Sequence, residues 1–122
     1  VSVNLSKPPS TPAEVAGAVL DAIEAHPGSF YMDAWAEGPG RELYPDGDVC
    51  GTTMCVAGWA AHLTGWTLFL DGSGAMRGEE FTSIHQAGAR ALRLGPYEAD
   101  RLFFAEHDAA LARLREIAGR PS

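Results

Sequence analysis

The sequence predicts a mainly α domain, a compact bundle of about five or six short helices with one small β-hairpin. Three observations lead there. Apolar residues recur at helical spacing in several stretches, as in Val15, Val19, Ala22 and Ile23. Helix-start residues precede these stretches, and Gly or Pro follows them. One stretch only, 66–77, pairs two short apolar segments around a turn.

Residues 1–10 read as an extended arm ending in Pro8 and Pro9, and residues 11–122 as a single helical domain. The first helix has a complete start signal. Thr11 can cap it, Pro12 fits its first position, and Glu14 closes a capping box. His26-Pro27-Gly28 ends it. Phe30, Tyr31, Met32 and Trp35 then suggest an aromatic, core-forming short helix. Residues 38–49 are dense in Gly, Pro and Asp and read as a loop.

Thr52 or Thr53 can cap a second helix running to about Thr64, with Gly65 as its stop. Cys55, Trp59, His62 and Leu63 share one face of it. Gly58 in its middle costs about 1 kcal/mol against Ala, which implies close approach of another element. Asp71-Gly72-Ser73-Gly74 is the turn of the predicted hairpin. Ser83 and Gln86 form a second capping box before Ile84, Ala87, Ala91 and Leu92, with a stop near Gly95. Pro96 opens a short helix carrying Tyr97, Ala99, Leu102, Phe103 and Phe104. Asp108 can cap the last helix, with Leu111, Leu114, Ile117 and Ala118 inward and Gly119 and Pro121 at its end. The expected core is Val19, Ile23, Phe30, Trp35, Cys55, Trp59, Leu63, Leu92, Leu102 and Phe103, with Trp59 near its centre.

Charge narrows the choice of function. The chain of 122 residues has 16 acidic and 9 basic residues, a net of −7. Residues 1–60 set Lys7 and Arg41 against eight acids. Such a surface repels phosphate backbones, so sequence-independent nucleic-acid binding is not expected. The arginines at 90, 93, 101, 113 and 115 are interspersed with acids and read as a mixed, solvated face. No apolar run approaches the ~20 residues of a membrane span, and no signal-peptide pattern opens the chain. Two cysteines favour a reducing compartment, hence a cytoplasmic protein. Phosphate-loop, zinc-protease and serine-elbow motifs are lacking, and no cofactor is expected.

The densest chemical signal is Cys50-Gly51-Thr52-Thr53-Met54-Cys55-Val56-Ala57-Gly58-Trp59-Ala60. Cysteines at a helix entrance gain thiolate character from unpaired amides. A thiol-dependent hydrolase or transferase would use Cys50 or Cys55 with a histidine base, His85 foremost and His62 or His107 as alternates. Asp46 and Asp48 oppose that activation. A metal-stabilised module would use Cys50, Cys55 and His62, in C-x4-C-x6-H spacing, with His85 or His26 as a fourth ligand. A redox pair is a further reading, looser than C-x-x-C. The plain alternative is structural, with Cys55 a small buried residue beside Trp59. Trp35, Gly51, Thr52, Gly58 and Trp59 are structural residues in every reading.

Three pieces in order carry a resemblance. They are His26-Pro27 through Phe30, Met32 and Trp35; the CGTxxCxAGW segment from Cys50 to Trp59; and Ala91 to Gly95 with Glu98-Ala99 and Leu102-Phe103. Together they resemble a group of small bacterial and bacteriophage proteins of uncharacterised function, frequent among actinobacteria and their phages. The resemblance spans about residues 26–104 and implies no catalytic role. A slighter likeness to papain-like and NlpC-type cysteine hydrolases stops at a Cys that begins a helix. The expected function is a small non-enzymatic protein-interaction module, a phage or mobile-element accessory factor binding a host protein.

Overall fold

A computed structural model of the chain describes residues 9–49 and 51–120. Residues 1–8 of the expected arm, and Cys50, lie outside the described residues. Five α-helices dominate, as the periodicity predicts. The β component is larger than expected: one antiparallel sheet of four short strands, in chain order, replaces the single hairpin. The fold is therefore mixed α and β rather than a helical bundle.

Helix α1 (Pro12–Ala25) starts as its sequence dictates. The Thr11 hydroxyl accepts from the Glu14 amide, and the Glu14 carboxylate accepts from the Thr11 amide. His26 ends it, and a single 3-10 turn (Pro27–Ser29) follows. Beyond that turn the expected aromatic helix does not form. The Tyr31 amide bonds outward instead, to the Met54 carbonyl at 3.0 Å, as does the Glu37 amide just beyond, to the Thr53 carbonyl at 2.9 Å. Phe30 pairs as a bridge with Met54, and Glu37 with Thr53. Residues 29–37 thus wrap the segment that enters the next helix.

That helix, α2 (Val56–Leu63), begins later than expected. Cys55, not Thr52 or Thr53, is its N-cap, and no side chain caps it. Thr52 is instead a buried turn residue, its amide bonded to the Val49 carbonyl at 2.9 Å. Gly51 precedes it at φ 81°, the left-handed conformation a tight turn needs. All eight residues of α2 are buried. Trp59 has no exposed surface and donates its indole N–H to the Ser29 carbonyl at 3.1 Å.

The sheet comprises β1 (Glu42–Leu43), β2 (Thr67–Phe69), β3 (Ala75–Arg77) and β4 (Glu80–Thr82). Register sets its faces. Leu43, Leu68, Ala75 and Thr82 are cross-strand partners in one row, and all are buried. The opposite face carries Met76 paired with Phe81, both exposed. In the β2–β3 turn the Asp71 carboxylate accepts from the Ser73 amide at 2.9 Å.

Helix α3 (Ile84–Leu92) uses half of its expected box. Ser83 accepts from the Gln86 amide, while the Gln86 side chain accepts from the Thr82 hydroxyl. It ends at Arg93, which takes a left-handed conformation at φ 51°, two residues before the expected stop. Helix α4 (Pro96–Phe103) opens on its proline. Helix α5 (His107–Ala118) starts after Glu106 rather than Asp108 and ends at Gly119. Of the ten expected core residues only Trp35 is not fully buried. Within α5, Leu114 is buried, but Leu111, Ile117 and Ala118 only partly so.

Two glycines let backbone pack against α2. A Cβ on Gly58 would fall well inside contact distance of the Trp35 carbonyl oxygen. A Cβ on Gly88 of α3 would lie 2.8 Å from the Ala57 Cα. Neither neighbour is the end of a flexible side chain, so neither can step aside. Helix propensity alone would make Gly58→Ala and Gly88→Ala stabilising by about 1 kcal/mol each. Overpacking reverses the sign: each variant should lose about 1–3 kcal/mol in chemical denaturation. A gain in either would show that these contacts do not limit the packing.

Candidate functional site

The cysteine segment does not assemble a reactive site from its described residues. Cys55 is 1% exposed, and burial raises its thiol pKa against the smaller opposing effect of the Gly58 and Ala57 amides. It is a protonated thiol that substrate cannot reach. Its backbone amide donates to the Ala34 carbonyl at 2.7 Å. His62 follows seven residues later, about 10 Å along the helix at 1.5 Å per residue. Among the described residues no three His, Cys, Asp or Glu side chains converge as metal ligands.

His62 is the most unusual polar group. It is 1% exposed and packs edge-on against Trp59 with ring centroids 6.0 Å apart. Neither ring nitrogen has a hydrogen-bond partner among the described residues. Burial lowers its pKa to about 4. His26, expected at a helix end, caps α1 and stacks on the same tryptophan, 6.3 Å from the Trp59 ring. His107 lies against Phe30 at 4.7 Å.

His85, the foremost candidate base, is engaged by a carboxylate and by aromatic rings. It sits in the first turn of α3, and its Nε2 lies 2.8 Å from the Asp100 carboxylate of α4. Among the described residues no serine, threonine or cysteine side chain hydrogen-bonds its other nitrogen, so this is a His–Asp pair without a nucleophile. Its ring completes an aromatic group instead. It meets Trp35 at 5.8 Å, Phe103 at 5.3 Å and Phe104 at 6.0 Å.

Around this group lies a surface cleft of about 220 Å³, lined by Met32, Asp33, Trp35, Phe103, Phe104 and Ala105. Its walls come from two places in the chain. Trp35 is fixed from behind, because its own carbonyl presses on Gly58. Phe103 and Phe104 are the last residue and the C-cap of α4, so one ring turns inward and the next outward. Phe104 is 68% exposed and stands perpendicular to Trp35, at 83° and 5.7 Å. Asp33 sits at the rim. It accepts from the Tyr31 hydroxyl, and this bond, more than the nearby charge of Glu37, raises the Tyr31 pKa.

Of the residues read as structural, Trp35 alone reaches this cleft. Asp33 and Asp100 went unmarked in the sequence, and Phe104 was read only as part of the short helix opened by Pro96. The doubled Phe103-Phe104 at a helix end was the available signal, since α4 buries only Ala99, Leu102 and Phe103. Comparison with protein-family models, curated proteins and solved structures finds no match.

The His62 environment predicts a pH dependence. The unfolded chain takes up a proton near pH 6.5, whereas the folded chain resists until about pH 4. Stability should therefore fall as pH drops from 6.5 to 4, by about 3 kcal/mol in all, and level off below. The readout is the difference between wild type and His62→Leu, which removes the contribution of carboxylates common to both. That difference should grow through this window, and a flat difference would show that the imidazole is solvated or paired. At neutral pH His62→Leu should cost nothing or stabilise, because two unpaired nitrogens disappear.

Proposed function

We propose that the chain is a small non-enzymatic protein-interaction module that binds its partner through the Trp35–Phe104 cleft. In this reading it is a phage or mobile-element accessory factor acting on a host protein in the cytoplasm. The likeness of its Cys50-to-Trp59 segment to small phage and bacterial proteins supports the second part.

The observation that carries the reading is Phe104. A large aromatic ring is held in solvent at the end of a packed helix, beside a half-buried tryptophan and an open cleft. Rigid aromatic anchors next to a pocket are the usual centres of binding energy at protein interfaces. They lose little conformational entropy on binding, because their positions are already fixed. Burying Phe104 alone would contribute on the order of 2 kcal/mol. Two further observations favour binding over catalysis: Cys55 is sealed in the core, and the His85–Asp100 pair hydrogen-bonds no nucleophile among the described residues. No helix among the described residues is long and apolar enough to cross a membrane.

The test is site-specific photocrosslinking in cells that make the protein. Phe104→p-benzoylphenylalanine should give one predominant protein adduct. The same residue in place of Tyr44, which is also exposed but lies beside β1, should not give that adduct. No adduct at position 104, or the same adducts from both positions, would sink the proposal.

A further inference from the structure

The chemistry of the cleft names its occupant. The protein covers two of its other aromatic rings with its own arginines. The Arg77 guanidinium lies over Trp66 at 4.4 Å, with Arg90 at 5.9 Å from the same ring. Arg101 lies over Tyr97 at 5.8 Å. No Lys or Arg among the described residues covers Trp35 or Phe104 in this way, and none lines their cleft. Yet the surroundings there suit a cation better. Asp33 lines the cleft, Asp100 flanks it through His85, and Glu37 is near enough to act on Tyr31.

We propose that the Trp35–Phe104 cleft receives an arginine side chain of a protein partner. The inference rests on the cleft being the docking surface, and it adds the chemistry that surface selects. The two rings meet at a right angle, so a planar guanidinium can lie flat on the open Phe104 face and aim its N–H edge at the Asp33 carboxylate. Its methylene stem would cross Met32. Arginine fits better than lysine because its charge is planar and weakly hydrated, whereas an ammonium must shed a tight water shell to enter. The acidic N-terminal half supplies the long-range attraction for a basic partner. The contrast with Trp66 sharpens the point: an aromatic ring beside a carboxylate attracts a guanidinium, and here none is provided among the described residues.

The experiment is an NMR titration of the intact chain with the blocked peptide Gly-Gly-Arg-Gly-Gly, following the Trp35 indole N–H. Its controls carry citrulline, which keeps the shape of arginine without the charge, or lysine. The arginine peptide should shift that resonance saturably, with a dissociation constant on the order of millimolar. Citrulline should weaken binding at least about tenfold and lysine about threefold. Phe104→Ala and Asp33→Asn alter exposed residues, so the fold should persist, and each should weaken arginine binding about fivefold. Equal binding of citrulline or lysine overturns the arginine assignment. So does unchanged binding in both variants, which would mark diffuse attraction to an acidic surface, or no saturable shift at all. If the arginine peptide fails while the position-104 crosslink persists, the docking surface stands and only its occupant is wrong. If the peptide binds and the crosslink fails, a guanidinium site remains without the protein-docking role.

Discussion

Helix α2 is surrounded on every side, and the rest of the structure is arranged around that fact. A helix of eight residues cannot stand alone, because too few backbone bonds offset its nucleation. It is held by neighbours that come unusually close. The Trp35 carbonyl occupies the space where a Gly58 side chain would be, and Ala57 occupies that of Gly88. Closeness of backbone brings a further demand, since every buried amide and carbonyl needs a partner. Residues 29–37 meet it at the entrance to α2. Ser29 alone accepts from the Met54 amide at 3.0 Å and the Trp59 indole at 3.1 Å. The Cys55 N-cap, which has no side-chain cap, is held there through Ala34 instead.

The same contacts position the cleft. With its carbonyl lodged against Gly58, Trp35 has little freedom to retreat, and its ring is left half in and half out. Helix α3 is fixed to α2 through Gly88, and the His85–Asp100 pair ties α4 to α3. Phe104 at the end of α4 is thus referred back to the same central helix as Trp35. An exposed ion pair of this kind contributes at most about 1 kcal/mol, so its effect is orientation more than stability. The result is two rings at a right angle on a base that does not have to rearrange before binding. Preorganisation of that sort reduces the entropic cost of association.

Where the sequence was legible, the signal was local. Thr11 and Glu14 announce the start of α1, Pro96 that of α4, and Asp71-Gly72-Ser73-Gly74 the β2–β3 turn, because cap and turn chemistry act within four residues. The core was legible for a related reason, since helical spacing places Val19, Ile23, Leu92 and Leu102 on inward faces. What stayed hidden depended on partners far along the chain. Phe30 to Trp35 look helical by composition, but the Tyr31 amide finds Met54 and Glu37 just beyond pairs with Thr53, and that competition is invisible in a window of ten residues. Strands β1 and β4 are two and three residues long, too short to show a period of two. The Thr52 and Thr53 caps failed because their backbone was already committed to Val49 and Glu37. Asp33 and Asp100 acquire meaning only beside Tyr31 and His85, a relation that spacing does not encode.

The three tryptophans show how differently one residue type can be used within a chain of this size. Trp59 is sealed in the core, and its one polar atom is satisfied by Ser29, so it acts as a packing centre. Trp66 is 1% exposed, and the Arg77 guanidinium lies over it in place of water. Trp35 receives neither treatment in full. Its carbonyl is packed against Gly58 in the core, yet its ring borders an open cleft beside a largely exposed phenylalanine. Folding alone does not demand this. Phe104 caps a helix whose inward residues are complete without it, and a polar residue there would remove the exposed apolar surface at no loss of core. Completion of the core therefore does not account for a phenylalanine at that position, and the proposed docking role does.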